Sequence, residues 1–197
     1  MNLKGKIVII TLVAIVALVG VGFATFTFTN PVNDSAAISG NVAAAIEAQS
    51  VEVKNAEGTA DVTNLYIICS SQAANGIYWS TTADGSNQIT QVNLIGSVNE
   101  DDNDFVDFTK YTGTFTSSVT GAPESTTWIN IASFAALNED VESTSKNANV
   151  ECIYQLPALS YKQVPNTVAQ VNSLETEVEA ISITITFTFS VKSVTAA

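Results

Sequence analysis

Hydrophobic and polar positions alternate most regularly near the end of the chain. From 181 to 191 every odd position is apolar (Ile181, Ile183, Ile185, Phe187, Phe189, Val191) and every even one is Ser or Thr. A period of two sends successive side chains to opposite faces, which predicts a long strand with one face in a core. Shorter runs rich in Val, Ile, Tyr, Trp and Phe predict strands over 62–69, 77–80, 89–95, 111–119, 128–134 and 150–156. Turn residues separate them: Asn75-Gly76, Asp84-Gly85-Ser86-Asn87, Gly121-Ala122-Pro123 and Pro157. Helix is a minor element, expected over 41–49, as a turn over 133–138, and over 166–174, where Asn166 is the candidate cap and Val168, Val171 and Leu174 share a face. The pattern predicts an all-β fold, a jelly-roll-like antiparallel β-sandwich with minor helix, as one domain over 41–197.

The other end of the chain has a different texture. Lys4 and Lys6 precede a 17-residue run, 7–23, whose one polar member is Thr11. Such a run predicts an N-terminal hydrophobic helix, a signal peptide or a membrane anchor. Its length lies just beyond a secretory apolar region and at the short limit for crossing a hydrocarbon core of about 30 Å. Gly22-Phe23-Ala24 places small residues where a signal peptidase needs them, and no basic stop-transfer cluster follows. Segment 1–24 is therefore read as a signal peptide cut after Ala24, with a retained anchor as the alternative. On both readings the lysines stay inside and the remainder lies outside the cytoplasmic membrane. Lys4-Gly5 before the run also raises a type IV pilin-like arrangement. Against it, the strand-like 25–29 and then Pro31 interrupt the continuous helix a pilin stalk requires.

Composition narrows the chemistry. The 197 residues are 46% hydrophobic and 13% charged, enough for a sizeable core. Seven cationic residues, all lysine, face 19 acidic ones, for a net charge of −12, and there is no histidine. Nucleic acid is excluded as a main partner, because that affinity is built on Lys and Arg neutralising phosphates. The lack of histidine removes Ser-His-Asp and Cys-His catalysis and imidazole zinc sites. Only carboxylate chemistry is left to an enzyme, and because the separation of two carboxylates in space is not written in a sequence the chain is read as non-enzymatic, with a carboxylate glycosidase as the alternative.

Several side chains stand out against that background. Cys69 and Cys152 each sit inside an apolar, strand-like run of an exported chain, so a disulfide is expected, with two separately buried thiols as the alternative. A bridge closing so long a loop contributes about 4–5 kcal/mol in the chain-entropy picture. Asp101, Asp102 and Asp104, in Asn99-Glu100-Asp101-Asp102-Asn103-Asp104, offer the hard oxygen ligands calcium prefers. The glycine turn and distal glutamate of an EF-hand are missing, and a solvated acidic loop is the plain alternative. No other cofactor is expected. Trp79, Trp128 and Tyr78 are candidates for a sugar-stacking patch, as a carbohydrate-binding adhesin would need, although aromatic residues on strands usually belong to a core.

Segment 25–40 holds the most distinctive pattern outside the core. Thr25, Phe26, Thr27, Phe28 and Thr29 form a short strand with both rings on one face. Once freed from the membrane, it either pairs within its own domain or enters an open groove of a neighbouring copy, where main-chain hydrogen bonds hold it and alternating side chains set register. The second option makes it a donor strand. Repeated head to tail without closure, the contact builds a filament, a homopolymer of this chain. The polar stretch from Asn30 then serves as the crossing between subunits, and Asn33 begins a glycosylation sequon with Asp34 and Ser35.

Leu18-Val19-Gly20-Val21-Gly22-Phe23-Ala24-Thr25-Phe26, then Ala36-Ala37-Ile38-Ser39-Gly40-Asn41-Val42, and finally the alternating 181–191 strand resemble the TasA/camelysin family of biofilm-matrix proteins. The chain is also similar to that family's archaeal relatives, the subunits of bundling pili, threads and cannulae. The resemblance covers some 40 residues at the start and a dozen at the end. It implies a jelly-roll-like sandwich, export by signal peptide, and cell-surface fibres in which each subunit's N-terminal strand completes the next subunit's sheet. Membrane contact is then limited to export, and other cells or filaments are met through bundling.

Overall fold

The computed structural model describes residues 10–16, 25–28, 38–41, 46–69, 76–100, 108–121 and 126–196. Among them are fourteen strands and one helix. In chain order the strands are β1 (Ile10–Val16), β2 (Thr25–Phe28), β3 (Ile38–Asn41), β4 (Ile46–Lys54), β5 (Asn64–Cys69), β6 (Ile77–Ser80), β7 (Gln88–Ile89), β8 (Gln91–Glu100), β9 (Phe108–Thr120), β10 (Ile129–Ile131), β11 (Asn138–Glu142), β12 (Val150–Gln155) and β13 (Leu159–Tyr161). Helix α1 (Val168–Glu179) and strand β14 (Ile183–Ala196) follow. The fold is all-β and mostly antiparallel.

A seven-stranded sheet in the order β11-β9-β14-β1-β5-β6-β7 faces a three-stranded sheet in the order β12-β8-β4, with β10-β13 and β2-β3 as separate pairs. The alternation read from the sequence organises the larger sheet. Ile183, Ile185, Phe187, Phe189 and Val191 of β14 are buried, and the intervening Ser and Thr are half-buried on the other face. Opposite them, the small sheet contributes Val51 and Val53 from β4, Val92 and Leu94 from β8, and Val150, Cys152 and Tyr154 from β12. Rings join the layers: Tyr154 meets Phe187 edge-on at a centroid distance of 5.0 Å, a favoured aromatic geometry.

Two glycines make room for the Phe189 ring. A Cβ at Gly96 in β8 or at Gly113 in β9 would collide with the Phe189 ring, so backbone there approaches the ring as only glycine permits. Gly121 ends β9 with φ of 72°, and a Cβ there would strike the Ser182 carbonyl just before β14 begins.

The helix closes one end of the core with Leu174 and Val178. It begins one residue later than expected: Thr167, not Asn166, is the cap, accepting a hydrogen bond from the Gln170 amide. The Gln170 side chain in turn accepts from the Asn166 amide at 2.9 Å, a variant of the reciprocal capping box. Trp128 Nε1 donates to Ser173 Oγ at 3.1 Å and the Thr127 amide to Glu177 Oε2 at 2.7 Å, which fixes the helix to the strands.

Other expectations are corrected. The helix expected over 41–49 is not formed: Asn41 ends β3 and Ile46 begins β4, and from Ser50 onward β4 alternates with Val51 and Val53 inward and Glu52 outward against β8. Tertiary pairing overrides the local Ala-rich helical preference. Residues 132–137 form no regular element, and the expected strand over 128–134 is reduced to the three residues of β10. The acidic strand β11 lacks an apolar period and has no counterpart among the expected strands. The largest departure is at the start, where Ile10–Val16 is a strand and not part of a helix. Among the described residues no helix is long and apolar enough to cross a membrane.

Candidate functional site

Strand β1 lies inside the larger sheet, between β14 and β5. It runs parallel to β14 in continuous register: Ile10, Leu12, Ala14 and Val16 stand opposite Ile183, Ile185, Phe187 and Phe189, and Thr11, Val13 and Ile15 opposite Thr184, Thr186 and Thr188. The first set is thus in register with the core-facing positions of β14. On its other flank β1 meets β5 at two positions only, Ile10 with Leu65 and Thr11 with Asn64. The slot is lined by β14 along its whole length and by β5 at one end.

The apolar character of β14 explains why this position must be filled. Each of its four core residues opposite β1 is at most 1% exposed. Their burial depends partly on a neighbour on that side, and the outward N–H and C=O groups of β14 need a pairing partner as well. A strand from the chain's beginning meets both needs of a strand at its end, and 29 residues, 17–45, separate it from β4.

The outer edges of the same sheet are defended. At one end β11 exposes Glu139, Asp140 and Glu142, which discourage edge-to-edge pairing. These charges are also tied down: Asp140 accepts from Thr114 Oγ1 at 2.7 Å and pairs with Lys192, while Glu142 pairs with Lys110 at 2.7 Å. Those contacts hold both the Asp140 and the Glu142 carboxyl below their ordinary pKa, the lysine hydrogen bonds first in each case. At the other end β7 is only two residues long.

The residues singled out from sequence are placed as follows. Thr25, Phe26, Thr27 and Phe28 form β2, which pairs antiparallel with β3 from Thr25 opposite Asn41 to Phe28 opposite Ile38. They belong to neither large sheet. Thr29, the sequon residue Asn33, and Asp101, Asp102 and Asp104 lie outside the described residues. Cys69 and Cys152 are both free thiols in this structure, the arrangement weighed beside the expected disulfide. Each thiol is engaged elsewhere, Cys69 at the end of β5 with the Tyr161 side chain and Cys152 in the middle of β12 with the Ile153 carbonyl of its own strand. Burial pushes the Cys69 thiol up to about 11 and the Cys152 thiol upward too, so both are protonated and unreactive at neutral pH.

The aromatic trio does not form a patch. Trp79 is 4% exposed with Nε1 donating to the Pro157 carbonyl at 2.7 Å, and Trp128 is 6% exposed on the helix contact already described. Tyr78 is half-buried and donates to the Gly85 carbonyl at 3.2 Å. Satisfied, inward-facing indoles leave no stacking platform for a sugar.

Sequence reasoning missed the slot itself. Its signal was present in the β-branched content of 7–16, which suits a strand as well as an apolar helix, because a continuous apolar run carries no period to tell the two apart. Comparison with family models, curated proteins and solved structures gives no match for this chain.

Proposed function

We propose that this protein is the structural subunit of an extracellular, cell-surface filament, a homopolymer assembled by N-terminal donor-strand complementation, with a jelly-roll-like sandwich as its body. Segment 25–29 serves as the donor and no catalysis is involved. One observation carries the reading: the larger sheet takes an N-terminal segment, in parallel, between strands β14 and β5 that are otherwise not neighbours. A strand joined to its own body by a long connection is the kind of element that copies exchange, and a head-to-tail exchange propagates. Defended outer edges support the same reading, since they limit assembly by ordinary edge pairing.

The carbohydrate-binding alternative loses its support with the burial of Trp79 and Trp128. The filament reading is tested by negative-stain microscopy of native material beside a variant lacking residues 25–30. Fibres from the parent and soluble monomers from the deletion are expected. Unchanged fibres from the deletion would refute the donor role.

A further inference from the structure

We infer that the slot between β14 and β5 is the acceptor for the neighbouring copy, and that Ile10–Val16 is an internal plug that keeps the uncut chain self-complemented until export removes it. The inference rests on the filament reading and adds to it where the partner strand binds and what withholds it.

The first ground is exclusivity. Ile10–Val16 lies in the middle of the apolar run 7–23, and the same residues cannot sit in a membrane or translocation channel and in the sheet at once. While β1 is in the sheet, the slot is closed to any other strand. When the run is drawn away, seven consecutive positions of β14, Ile183 to Phe189, lose the neighbour and pairing partners on the side away from β9. That edge lies in the interior of the sheet, is apolar on its core face, and carries none of the charges that guard β11.

The second ground is how the plug is held. Its long contact is a parallel pairing with β14, slightly weaker per residue than antiparallel pairing, and β5 grips only Ile10 and Thr11. Beyond these ladders β1 packs across the core against β4 of the facing sheet, a face that an incoming strand of the same parity meets in its turn.

The third ground is the fit and availability of the donor. Thr25–Phe28 alternates with the same parity as the slot, and among the described residues it pairs with β3 in a separate two-stranded sheet. A pair of four-residue strands is marginal in water and opens readily. Size then selects the register. The place opposite Phe187 is held by Ala14, the smallest residue in that set, while Ile10 and Leu12 stand opposite Ile183 and Ile185. Two phenylalanines are accommodated at the Ile10 and Leu12 places and not at the Ala14 place. Phe26 of the incoming copy therefore stands opposite Ile183, Phe28 opposite Ile185, and Thr27 opposite Thr184.

The test uses the full chain with a specific protease site inserted between residues 17 and 24. One variant carries T11C with T184C, a second T27C with T184C; Cys69 and Cys152 stay in place. Before cutting, a short thiol cross-linker is expected to join T11C to T184C within single molecules, and the T27C/T184C chain is expected to remain monomeric and unlinked. After cutting, the T27C/T184C chain should give a ladder of covalently linked multimers, while the chain cross-linked at T11C/T184C should no longer join it. Circular dichroism of each uncut variant against the parent verifies folding, and a variant that misfolds is replaced by the V13C/T186C or T25C/S182C pair at neighbouring positions. Filaments that form with T27C and T184C unlinked, or that form as fast from the locked chain, overturn the acceptor assignment and leave the filament reading standing. No multimers from any cut chain refutes the filament reading itself.

Discussion

Replacing Gly96 by alanine probes how tightly the layer beneath the slot is packed. Phe189 is fully buried and stands opposite Val16, the last slot position. A methyl at Gly96 lands on the near edge of its ring. The ring has little room to withdraw, because Gly113 of β9 already lies so close that its own Cβ would meet both the ring and Val150, and the Phe115 ring is centred 4.9 Å away. Overpacking a filled core typically costs about 1–3 kcal/mol, and with retreat blocked we expect about 2 kcal/mol. At a urea slope of about 2 kcal/mol/M the midpoint falls by about 1 M, followed by circular dichroism. Phe189→Leu alone also destabilises, by about 1–3 kcal/mol, since it removes ring atoms from a closed site. In that background Gly96→Ala should cost at least about 1 kcal/mol less, because the shorter side chain no longer meets the methyl. If the two changes add within about 0.5 kcal/mol, the glycine and the ring are not in contact and the tight packing beneath the slot does not exist.

Two further outcomes are expected. Cys69 and Cys152 should react slowly with a thiol reagent in the native protein and together release two equivalents on unfolding without reductant; zero equivalents would restore the disulfide. Acid should weaken the fold through Asp84, whose carboxyl is held down to about 2 by the Ser86 amide and hydroxyl and by Thr82. A depressed folded pKa contributes stability above the ordinary value of 3.8 and loses it as pH falls toward 2, so the urea midpoint of Asp84→Asn should change less than the parent's across that window. Equal slopes in the two proteins would show that the Asp84 turn contributes nothing.

Much of the fold was legible where side chains alternate, and the reason is local. In β14 each residue's face follows from its parity, so Ile183, Ile185, Phe187, Phe189 and Val191 could be assigned to a core from sequence, and β12 buries Val150, Cys152 and Tyr154 in the same alternation. Strand β5, by contrast, is apolar without a break from Leu65 to Cys69 and buries Ile67 and Ile68 in succession, so its faces could not be read that way. The cap of α1 was found within one residue for the same reason, because capping is a contact among near neighbours. The all-β class and the acidic, histidine-free chemistry were likewise properties of the chain alone. Tertiary structure decided what has no period to read. It made Ile10–Val16 a strand, because the apolar edge of β14 and the first residues of β5 supply hydrogen-bond partners from distant parts of the chain, which no local pattern encodes. It made Ile46–Lys54 a strand in place of a helix and drew β11 from a charged segment to close a sheet edge. Pairing partners in a sheet are chosen in space, so register and slot emerge only when the strands are assembled.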